Sequence, residues 1–585
     1  MRASLYLLLL VPLVGTSATL YPMIVPKALL ARTLITVMVA CWLAAAIVDP
    51  SQRPPRRSRV LLALVAYLGV ALIAAFAGTS PTRSLWSTFE RMGGVIDLAH
   101  WTAFVVVLAS TLRGRDAWWW PLNVNLIVGV VVAVVALAQH RGLGVLPYYS
   151  ATPGYRVDAS LGNATFLGAY MMVGMLLAMT YLAAEGEAGR GWRLFWTATA
   201  ILDASVLVLS GTRAAFGGAL VGLVVLVLAR LARAEFRRPA VGIALFSASA
   251  AAAVALGLTD PRVRDVLART NVMAERMAQI SVSKGELAIR LALWKAGVAG
   301  VRDRPLLGWG PENFAAAFER HAGDDYFRVT KAFPDHPHSQ VVEELTTKGV
   351  VGLLSYVTLY AAALVALRRK FHEGDVFWAG IAAALVAYLV QSQFLFETPV
   401  LTAQLMLLLA VAASTEARAA PGHVGAPPAG RTTALLAVLL AVAVPVVIRF
   451  DHRPYRASVL AAAALRPQDR AQLPFPERLQ MFRESFELSP ALANRPLYFL
   501  LVALANSWDR LVPADRAQAL ATVEAETGRA LERDPFDLPV RLGAAKLYRA
   551  VARTDSTYRE RADRYWEEAR RLSPIRVSHA ERRSR

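Results

Sequence analysis

The chain of 585 residues is 56% hydrophobic, with a mean hydropathy of +0.42 and a formal net charge of +20. A soluble protein of this size is less apolar and intersperses its charges more evenly. The basic residues lie largely in short segments between apolar blocks, rather than on one soluble face with interleaved aromatics. This distribution follows the positive-inside rule and argues against nucleic acid as a partner. Composition therefore predicts a polytopic membrane protein.

The apolar blocks have the length of membrane-spanning helices, because about twenty residues cross a hydrocarbon core roughly 30 Å thick. We predict an all-α fold with about thirteen spans by this criterion. They cover 3–22, 27–48, 60–78, 93–112, 118–138, 165–184, 194–211, 214–230, 239–258, 341–367, 376–393, 398–414 and 432–449. The N-terminal "MRASLYLLLLVPLVG" resembles a signal peptide. Since a second apolar block follows at once, we expect an uncleaved first span.

The charge pattern also predicts an orientation. With the N-terminus inside, the basic clusters at 53–59, 113–115, 230–238 and 368–370 become cytoplasmic. The loops at 79–92, 139–164 and 259–340, and everything after 450, then face outward. We expect the 259–340 loop to be ordered and functional, because it is long and carries the amphipathic segment "GELAIRLALWKAGVAGV" and the motif "LLGWGPENF".

Residues 450–585 are predicted to form a separate soluble helical domain, following a transmembrane domain over 1–449 that ends in a Pro/Gly linker (419–431) and one last span. The segments "ESFELSP", "RALERDP" and "EARRLSP" each indicate a helix closed by a proline, at Pro490, Pro535 and Pro574. Their spacing resembles degenerate tetratricopeptide repeats, which offer a concave surface for a protein partner. A plain helical cap on the membrane domain explains the pattern equally well.

Two arginines lie where a membrane protein tolerates charge poorly, so each is a functional candidate. Arg213, in "LVLSGTRAAFGGALVGL", follows a Ser-Gly-Thr break between two spans, on the outer side where positive charge opposes the orientation bias. Arg290, in "GELAIRLALW", has Leu287, Leu291 and Trp294 around it at helical spacing. The alternative for both residues is an arginine that snorkels to the interface.

Other polar residues on the outer side are accessory candidates. Arg83 and Arg91 occur in the aromatic stretch "TRSLWSTFERMGG", where the alternative is a surface pair with Glu90. Asn163, in "SLGNATFLGAY", is placed to cap the next span, and capping alone would explain it.

The stretch "FPDHPHSQVVEELTTKGVVGLL" (333–354) puts two histidines at the start of a predicted span. Ser339 is a suitable N-cap for a helix beginning near Val341, which places His338 at its N-terminal end. The helix dipole there disfavours a protonated imidazole, so His338 could accept a proton from an incoming hydroxyl. His336 is predicted to be an ordinary loop residue. One base with arginines and no acidic cluster indicates metal-free transfer from an anionic donor.

Five segments together resemble the O-antigen ligase superfamily of bacterial inner-membrane glycosyltransferases. They are "WSTFERMGG", "SLGNATFLGAYM", "LSGTRAAFGGALVG", "RLALWKAGVAGVRDRPLLGWGPENF" and "HPHSQVVEELTTKGVVGLLSYV", in the order and within the region, roughly 60–415, that the family uses. The superfamily includes O-antigen ligases, O-antigen polymerases and protein O-oligosaccharyltransferases. Many members end in a tetratricopeptide-like periplasmic domain.

The resemblance implies an inverting, metal-independent glycosyltransferase without a cofactor, acting in cell-envelope or lipopolysaccharide biosynthesis. Its donor would be a glycan on undecaprenyl pyrophosphate, with Arg213 and Arg290 on the pyrophosphate. His338 would activate the acceptor hydroxyl or organise the site, and the acceptor would be a glycan, a lipid or a protein. The sequence departs from the family pattern at Ser339, where His-Asn is usual, and at Thr347, where an acidic residue is usual.

Two other classes of function stay open from the residues alone. A transporter or flippase would line a path for an anionic lipid-linked substrate with these arginines, although no internal repeat of the kind common in transporters is evident. An envelope scaffold would use the C-terminal repeats to recruit partners, but it would leave Arg213, Arg290 and His338 without a role.

Overall fold

The computed structural model describes residues 1–55, 57–145, 156–185, 188–232, 285–416, 429–466 and 473–584. Over these ranges the chain is helical and contains no strand. Nine of the helices described are long and apolar enough to cross a membrane, and three shorter helices are similarly apolar. The prediction of an all-α polytopic membrane protein is confirmed.

The apolar helices follow the predicted spans closely. In chain order they are α1 Arg2–Leu9, α2 Val25–Val48, α3 Arg59–Ala77, α5 Val95–Thr111, α6 Trp119–His140, α7 Ala164–Ala184, α8 Arg190–Ser210, α9 Arg213–Leu231, α13 Gln340–His372, α14 Val376–Gln391, α15 Pro399–Ser414 and α16 Ala429–Val447. The short helix α4 covers Pro81–Trp86, and α10 Glu286–Val301, α11 Phe314–His321 and α12 Asp324–Val329 belong to the large loop.

The first span is shorter than the predicted 3–22: α1 ends at Leu9 and a single 3-10 turn, Val11–Leu13, follows it. Pro12 lies in that turn and has no N–H to continue an α-helix. The predicted span at 239–258 lies outside the described residues, as do residues 259–284 of the large loop and most of the 419–431 linker.

The interhelical loops meet in two groups that match the predicted alternation. At one end, the Thr79 amide donates to the Trp309 carbonyl (2.9 Å) and the Ser84 hydroxyl donates to the Pro311 carbonyl (2.8 Å). At the other end, Arg115 pairs with Glu185 and with Asp375, while Ser58 donates to Glu416 (2.8 Å). Each group therefore contains only loops that are predicted to lie on the same side of the membrane. The compartment that each end faces stays a prediction from the charge pattern.

The segment 305–310 of the large loop is held against a break in α13. Gly349, at φ 67°, interrupts the helix, and the freed backbone groups bond to the loop: Val350 N to Pro305 O (2.9 Å) and Gly310 N to Thr347 O (2.8 Å). A Cβ at Gly349 would lie 2.3 Å from the backbone of Leu306. Glycine is required both for the positive φ and for this close approach. The break fixes the large loop to the start of a membrane helix.

The C-terminal helices are α17 Arg453–Leu465, α18 Phe475–Leu488, α19 Asn494–Ser507, α20 Pro513–Arg533, α21 Leu538–Val551, α22 Arg559–Leu572 and α23 Pro574–Ser584. Helices α18, α20 and α22 end just before Pro490, Pro535 and Pro574, as predicted. A π-helical turn, Ile448–His452, joins α16 to α17 without a loop. A buried apolar core connects α17 to α22. The tetratricopeptide assignment stays a prediction.

The C-terminal helices dock on the large loop through buried charge. The Arg576 guanidinium contacts both Glu319 carboxylate oxygens (2.9 and 2.5 Å) and donates to the carbonyls of Lys331 (2.9 Å) and Ala332 (3.0 Å). The same guanidinium lies 4.2 Å from the ring centroid of Phe333. Residues 331–333 lead directly into the segment that carries the histidines, so the C-terminal helices fix one end of that segment.

Candidate active site

Arg213 contacts the first turn of the helix that carries Arg290. Arg213 is the first residue of α9, and Thr212 alone separates it from the left-handed Gly211 that ends α8. Its guanidinium lies 3.0 Å from a carboxylate oxygen of Glu286 at the start of α10. Arg290 follows one turn later on that helix, with its guanidinium 5.9 Å from the ring centroid of Phe394. Both arginines therefore lie on the same side of α10, at the end of the bundle that carries the large loop.

His338 lies against α10 as well. The indole Nε1 of Trp294 donates to the Pro337 carbonyl (2.9 Å), which ties the histidine segment to the arginine-bearing helix. His338 has φ 55°, an uncommon conformation for a residue with a side chain. Burial, and next the charge of Arg290, lower the pKa of His338 to about 4. The imidazole is therefore neutral at physiological pH.

The neutral imidazole has a defined tautomer. His338 Nδ1 lies 3.2 Å from the His336 carbonyl oxygen, which can only accept a hydrogen bond. Nδ1 therefore carries the proton, and Nε2 keeps a free lone pair. A side chain in this state can accept a proton from a hydroxyl group.

The predicted caps are confirmed at two positions. Ser339 is the N-cap of α13, its hydroxyl accepting from Val342 N (3.5 Å), and the helix begins at Gln340. The Ser339 hydroxyl also donates to Gln393 (3.4 Å). Asn163 caps α7 by accepting from Thr165 N (2.8 Å), and its side chain is exposed. Capping accounts for Asn163 fully, whereas the Ser339 side chain also bonds to Gln393.

The two accessory arginines have their closest partners in distant parts of the chain, although Arg91 also lies 3.9 Å from Glu90, the pair that the sequence suggested. Arg91 binds Asp335 through two nitrogens (2.5 and 2.9 Å) and lies 3.9 Å above the ring of Phe396. Arg91 thereby holds the histidine segment from the membrane-domain side. Arg83 pairs with Asp534 in the C-terminal region (3.3 Å), so it links the two parts of the chain.

His336 is a loop residue, as predicted, but it is buried and charged rather than ordinary. Its Nδ1 lies 3.2 Å from Glu343 and its Nε2 lies 3.9 Å from Glu312. Burial opposes a charge on this ring, but the carboxylates of Glu343, Glu312 and Asp335 outweigh it and raise the pKa of His336 to about 9. Two histidines separated by one proline thus differ in charge: His336 is protonated and His338 is neutral. The sequence signal for this charge is Glu343, an acidic residue in the first turn of α13.

Phe396 connects the two histidines. Its ring is stacked on His336 (centroids 5.4 Å apart) and meets His338 edge-on (5.2 Å). A cavity of about 130 Å³ opens beside it among α3, α5, α13 and α15, and Arg91, His336 and Phe396 belong to its wall. Four charged residues that were not candidates from the sequence, Glu312, Glu343, Lys348 and Glu397, also line this cavity.

The fold and the site together define a membrane-embedded protein with a neutral imidazole and two guanidinium groups at one end of its bundle. Residues 198–357 match the family model described as O-antigen ligase, a segment that contains Arg213, Arg290 and His338. This match supports the O-antigen ligase superfamily for that segment, and the family indicates a membrane enzyme of the ligase or glycosyltransferase type. No curated protein matches the chain.

Proposed function

We propose that this protein transfers a glycan from undecaprenyl pyrophosphate to an acceptor hydroxyl at the periplasmic face of a bacterial inner membrane. The observation that carries the proposal is His338, kept neutral by burial and by Arg290 at the edge of the membrane bundle. A hydroxyl acceptor needs such a base, and an anionic leaving group needs the guanidinium groups beside it.

The reaction uses each group once. His338 Nε2 takes the proton of the acceptor hydroxyl while the acceptor oxygen forms a bond to the anomeric carbon of the donor glycan. The bond between that carbon and the pyrophosphate oxygen breaks, and the electron pair leaves with undecaprenyl pyrophosphate. Arg213 and Arg290 bind the negative charge that develops on this leaving group. Attack opposite to the leaving group inverts the anomeric configuration.

Donor binding would also adjust the strength of the base. In the free protein, the positive charge of Arg290 contributes to the low pKa of His338. A pyrophosphate on Arg290 offsets that charge, so the pKa of His338 rises toward its ordinary value. The imidazole then becomes a better proton acceptor once the donor is in place.

Site-directed variants test the assignment. His338→Ala and Arg213→Ala should each abolish glycan transfer in membranes while the protein accumulates normally. Arg302→Ala is the matched control, because Arg302 follows directly after α10 with an exposed side chain and should transfer normally. Full activity in the His338 and Arg213 variants would remove both residues from the mechanism.

A labelling experiment tests the orientation of the site in the membrane, and a chelator tests whether transfer needs a metal ion. Cys41 is the single cysteine, so Cys41→Ser with Arg302→Cys leaves one thiol, at an exposed position of the large loop. A membrane-impermeant maleimide should label it from the periplasm, and labelling only from the cytoplasm would reverse the topology.

Because guanidinium groups supply the positive charge, transfer should persist in EDTA, and a requirement for Mg²⁺ would contradict the proposed chemistry.

The envelope glycans of a deletion strain distinguish the three kinds of acceptor. Loss of long chains from lipopolysaccharide would indicate a ligase onto lipid A core. A shortened chain length would indicate a polymerase, and loss of protein glycosylation would indicate a protein glycosyltransferase.

A further inference from the structure

Arg156 contacts the break between α8 and α9 that precedes Arg213. Its Nε donates to the Ser210 carbonyl (2.6 Å), and its Nη2 lies 3.4 Å from the Thr165 hydroxyl and 3.5 Å from the Thr212 hydroxyl. Ser210 is the last residue of α8, Thr212 immediately precedes α9, and Thr165 lies in the first turn of α7. One guanidinium therefore contacts three helix ends.

The chemistry of these contacts suits an arginine. An α-helix leaves its last carbonyls without an intrahelical donor, and Ser210, at the end of α8, is fully buried. A buried carbonyl without a donor is costly, and a cation near a helix C-terminus is favourable. The guanidinium of Arg156 presents its N–H groups as a planar fork at fixed angles, so it can bond to the carbonyl and face two hydroxyl groups at once.

The turn before Arg213 is also held by buried polar contacts with α7. The Thr212 hydroxyl donates to the Ala164 carbonyl (3.0 Å) and lies 3.0 Å from the Ser210 hydroxyl. A Cβ at Gly168 on α7 would lie 2.6 Å from the Thr212 Cβ, so α7 packs directly on the turn. The backbone that leads into Arg213 is therefore fixed where Thr212 meets the start of α7, next to the contacts of the Arg156 guanidinium.

The residues that follow Arg156 anchor it to the rest of the membrane domain. They are buried as far as the start of α7, and two polar side chains from other helices hold them. The Gln139 side chain, near the end of α6, accepts from the Asp158 amide (3.0 Å) and donates to the Asp158 carboxylate (2.7 Å). The Lys27 ammonium on α2 donates to the Ser160 carbonyl (2.7 Å). Arg156 therefore reaches the break from a fixed base.

We propose that Arg156 is a positioning residue for donor binding. Its guanidinium joins the end of α8 to the starts of α7 and α9, and this junction sets the direction in which Arg213 leaves the turn toward the pyrophosphate. The geometry of the fork on the Ser210 carbonyl, rather than a contact between Arg156 and the donor, carries the effect. The inference rests on the proposed function and adds to it a residue that orients a donor-binding arginine.

Two substitutions separate geometry from charge. Arg156→Gln removes both the charge and the fork, whereas Arg156→Lys keeps the charge and removes the fork. Each is made in the wild type and in Arg213→Gln, as full-length protein in nanodiscs. Arg141→Gln is the matched control, because Arg141 follows directly after α6 with an exposed side chain and should bind as the wild type does. Titration with undecaprenyl pyrophosphate gives the Kd separately from the fraction of protein that binds, so partial misfolding lowers the fraction and leaves the Kd unchanged.

We expect Arg156→Gln and Arg156→Lys each to raise the Kd about tenfold in the wild-type background. In the Arg213→Gln background each should change the Kd by less than about twofold, because the residue that Arg156 orients is gone. A wild-type Kd in Arg156→Gln would overturn the inference. A wild-type Kd in Arg156→Lys would overturn it as well, because charge alone would then suffice.

A full tenfold increase in the Arg213→Gln background would also overturn the inference, because Arg156 would then act independently of Arg213. These three outcomes leave the proposed function standing. A wild-type Kd in Arg213→Gln alone would instead overturn the proposed role of Arg213, and the inference with it.

Discussion

Replacing Arg576 with methionine should undock the C-terminal helices from the histidine segment. The substitution keeps an unbranched side chain but removes a guanidinium that holds Glu319 and the carbonyls of Lys331 and Ala332. The paired side chains are only 8% and 7% exposed, so solvent screens them little. Glu319 would keep the Ser573 hydroxyl (2.6 Å) as a donor and lose its countercharge.

The expected cost follows from this burial. Removing one partner of a buried ion pair leaves an uncompensated charge, which costs about 3–5 kcal/mol. Glu319→Met in the Arg576→Met background removes that charge and should recover part of the loss. Arg571→Met, at an exposed arginine near the end of the preceding helix, is the matched control and should change stability by less than about 0.5 kcal/mol.

Hydrogen exchange in nanodiscs measures the effect directly. In Arg576→Met, amides of residues 331–339 and of α23 should lose protection, and glycan transfer should fall because the loop before His338 is released. The double variant should regain part of the protection. Unchanged protection of residues 331–339 in Arg576→Met would refute the idea that the C-terminal helices hold this segment.

Three further predictions concern pH and backbone conformation. The acidic limb of the pH profile of kcat/KM should lie near pH 4, the pKa of His338 in the free protein. The acidic limb of the kcat profile should lie at higher pH, because bound pyrophosphate offsets the charge of Arg290. A kcat limb at or below that of kcat/KM would contradict the idea that the donor raises the pKa of His338. His336 has a pKa raised to about 9 from 6.5, so its stabilisation is fully present below pH 6.5 and is lost as pH rises through 9; thermal unfolding should show this loss in the wild type and lack it in His336→Gln. Gly349→Ala should destabilise the protein by more than about 1 kcal/mol because of its positive φ and the backbone contact, whereas Gly69→Ala, with open space around it, should be neutral or slightly stabilising in the same thermal assay.

Local features of this fold could be predicted from the sequence because their causes are local. Span lengths follow from the apolar blocks, and the caps at Asn163 and Ser339 follow from side chains that bond to their own helix. The helix ends before Pro535 and Pro574 have an equally local cause. The exception was the first span, where Pro12 interrupts an otherwise apolar run.

The site was predictable only in part, because its charge states depend on residues distant in sequence. The sequence predicted a neutral His338 from its place at a helix N-terminus, whereas burial and Arg290 are what lower its pKa. The charge of His336 requires Glu312 and Glu343 to be close in space. The partners of Arg83 and Arg91 lie 451 and 244 residues away along the chain. No periodicity or local motif reports such contacts, so a surface pair with Glu90 was the natural expectation.

The central claim is that two guanidinium groups hold the donor while His338 performs proton transfer. Binding of undecaprenyl pyrophosphate to purified protein tests it most directly, in His338→Gln and in the double variant Arg213→Gln, Arg290→Gln. The account predicts wild-type binding without transfer in His338→Gln, and a Kd raised roughly 100-fold or more in the double variant. Wild-type binding by the double variant, or normal transfer by His338→Gln, would contradict it.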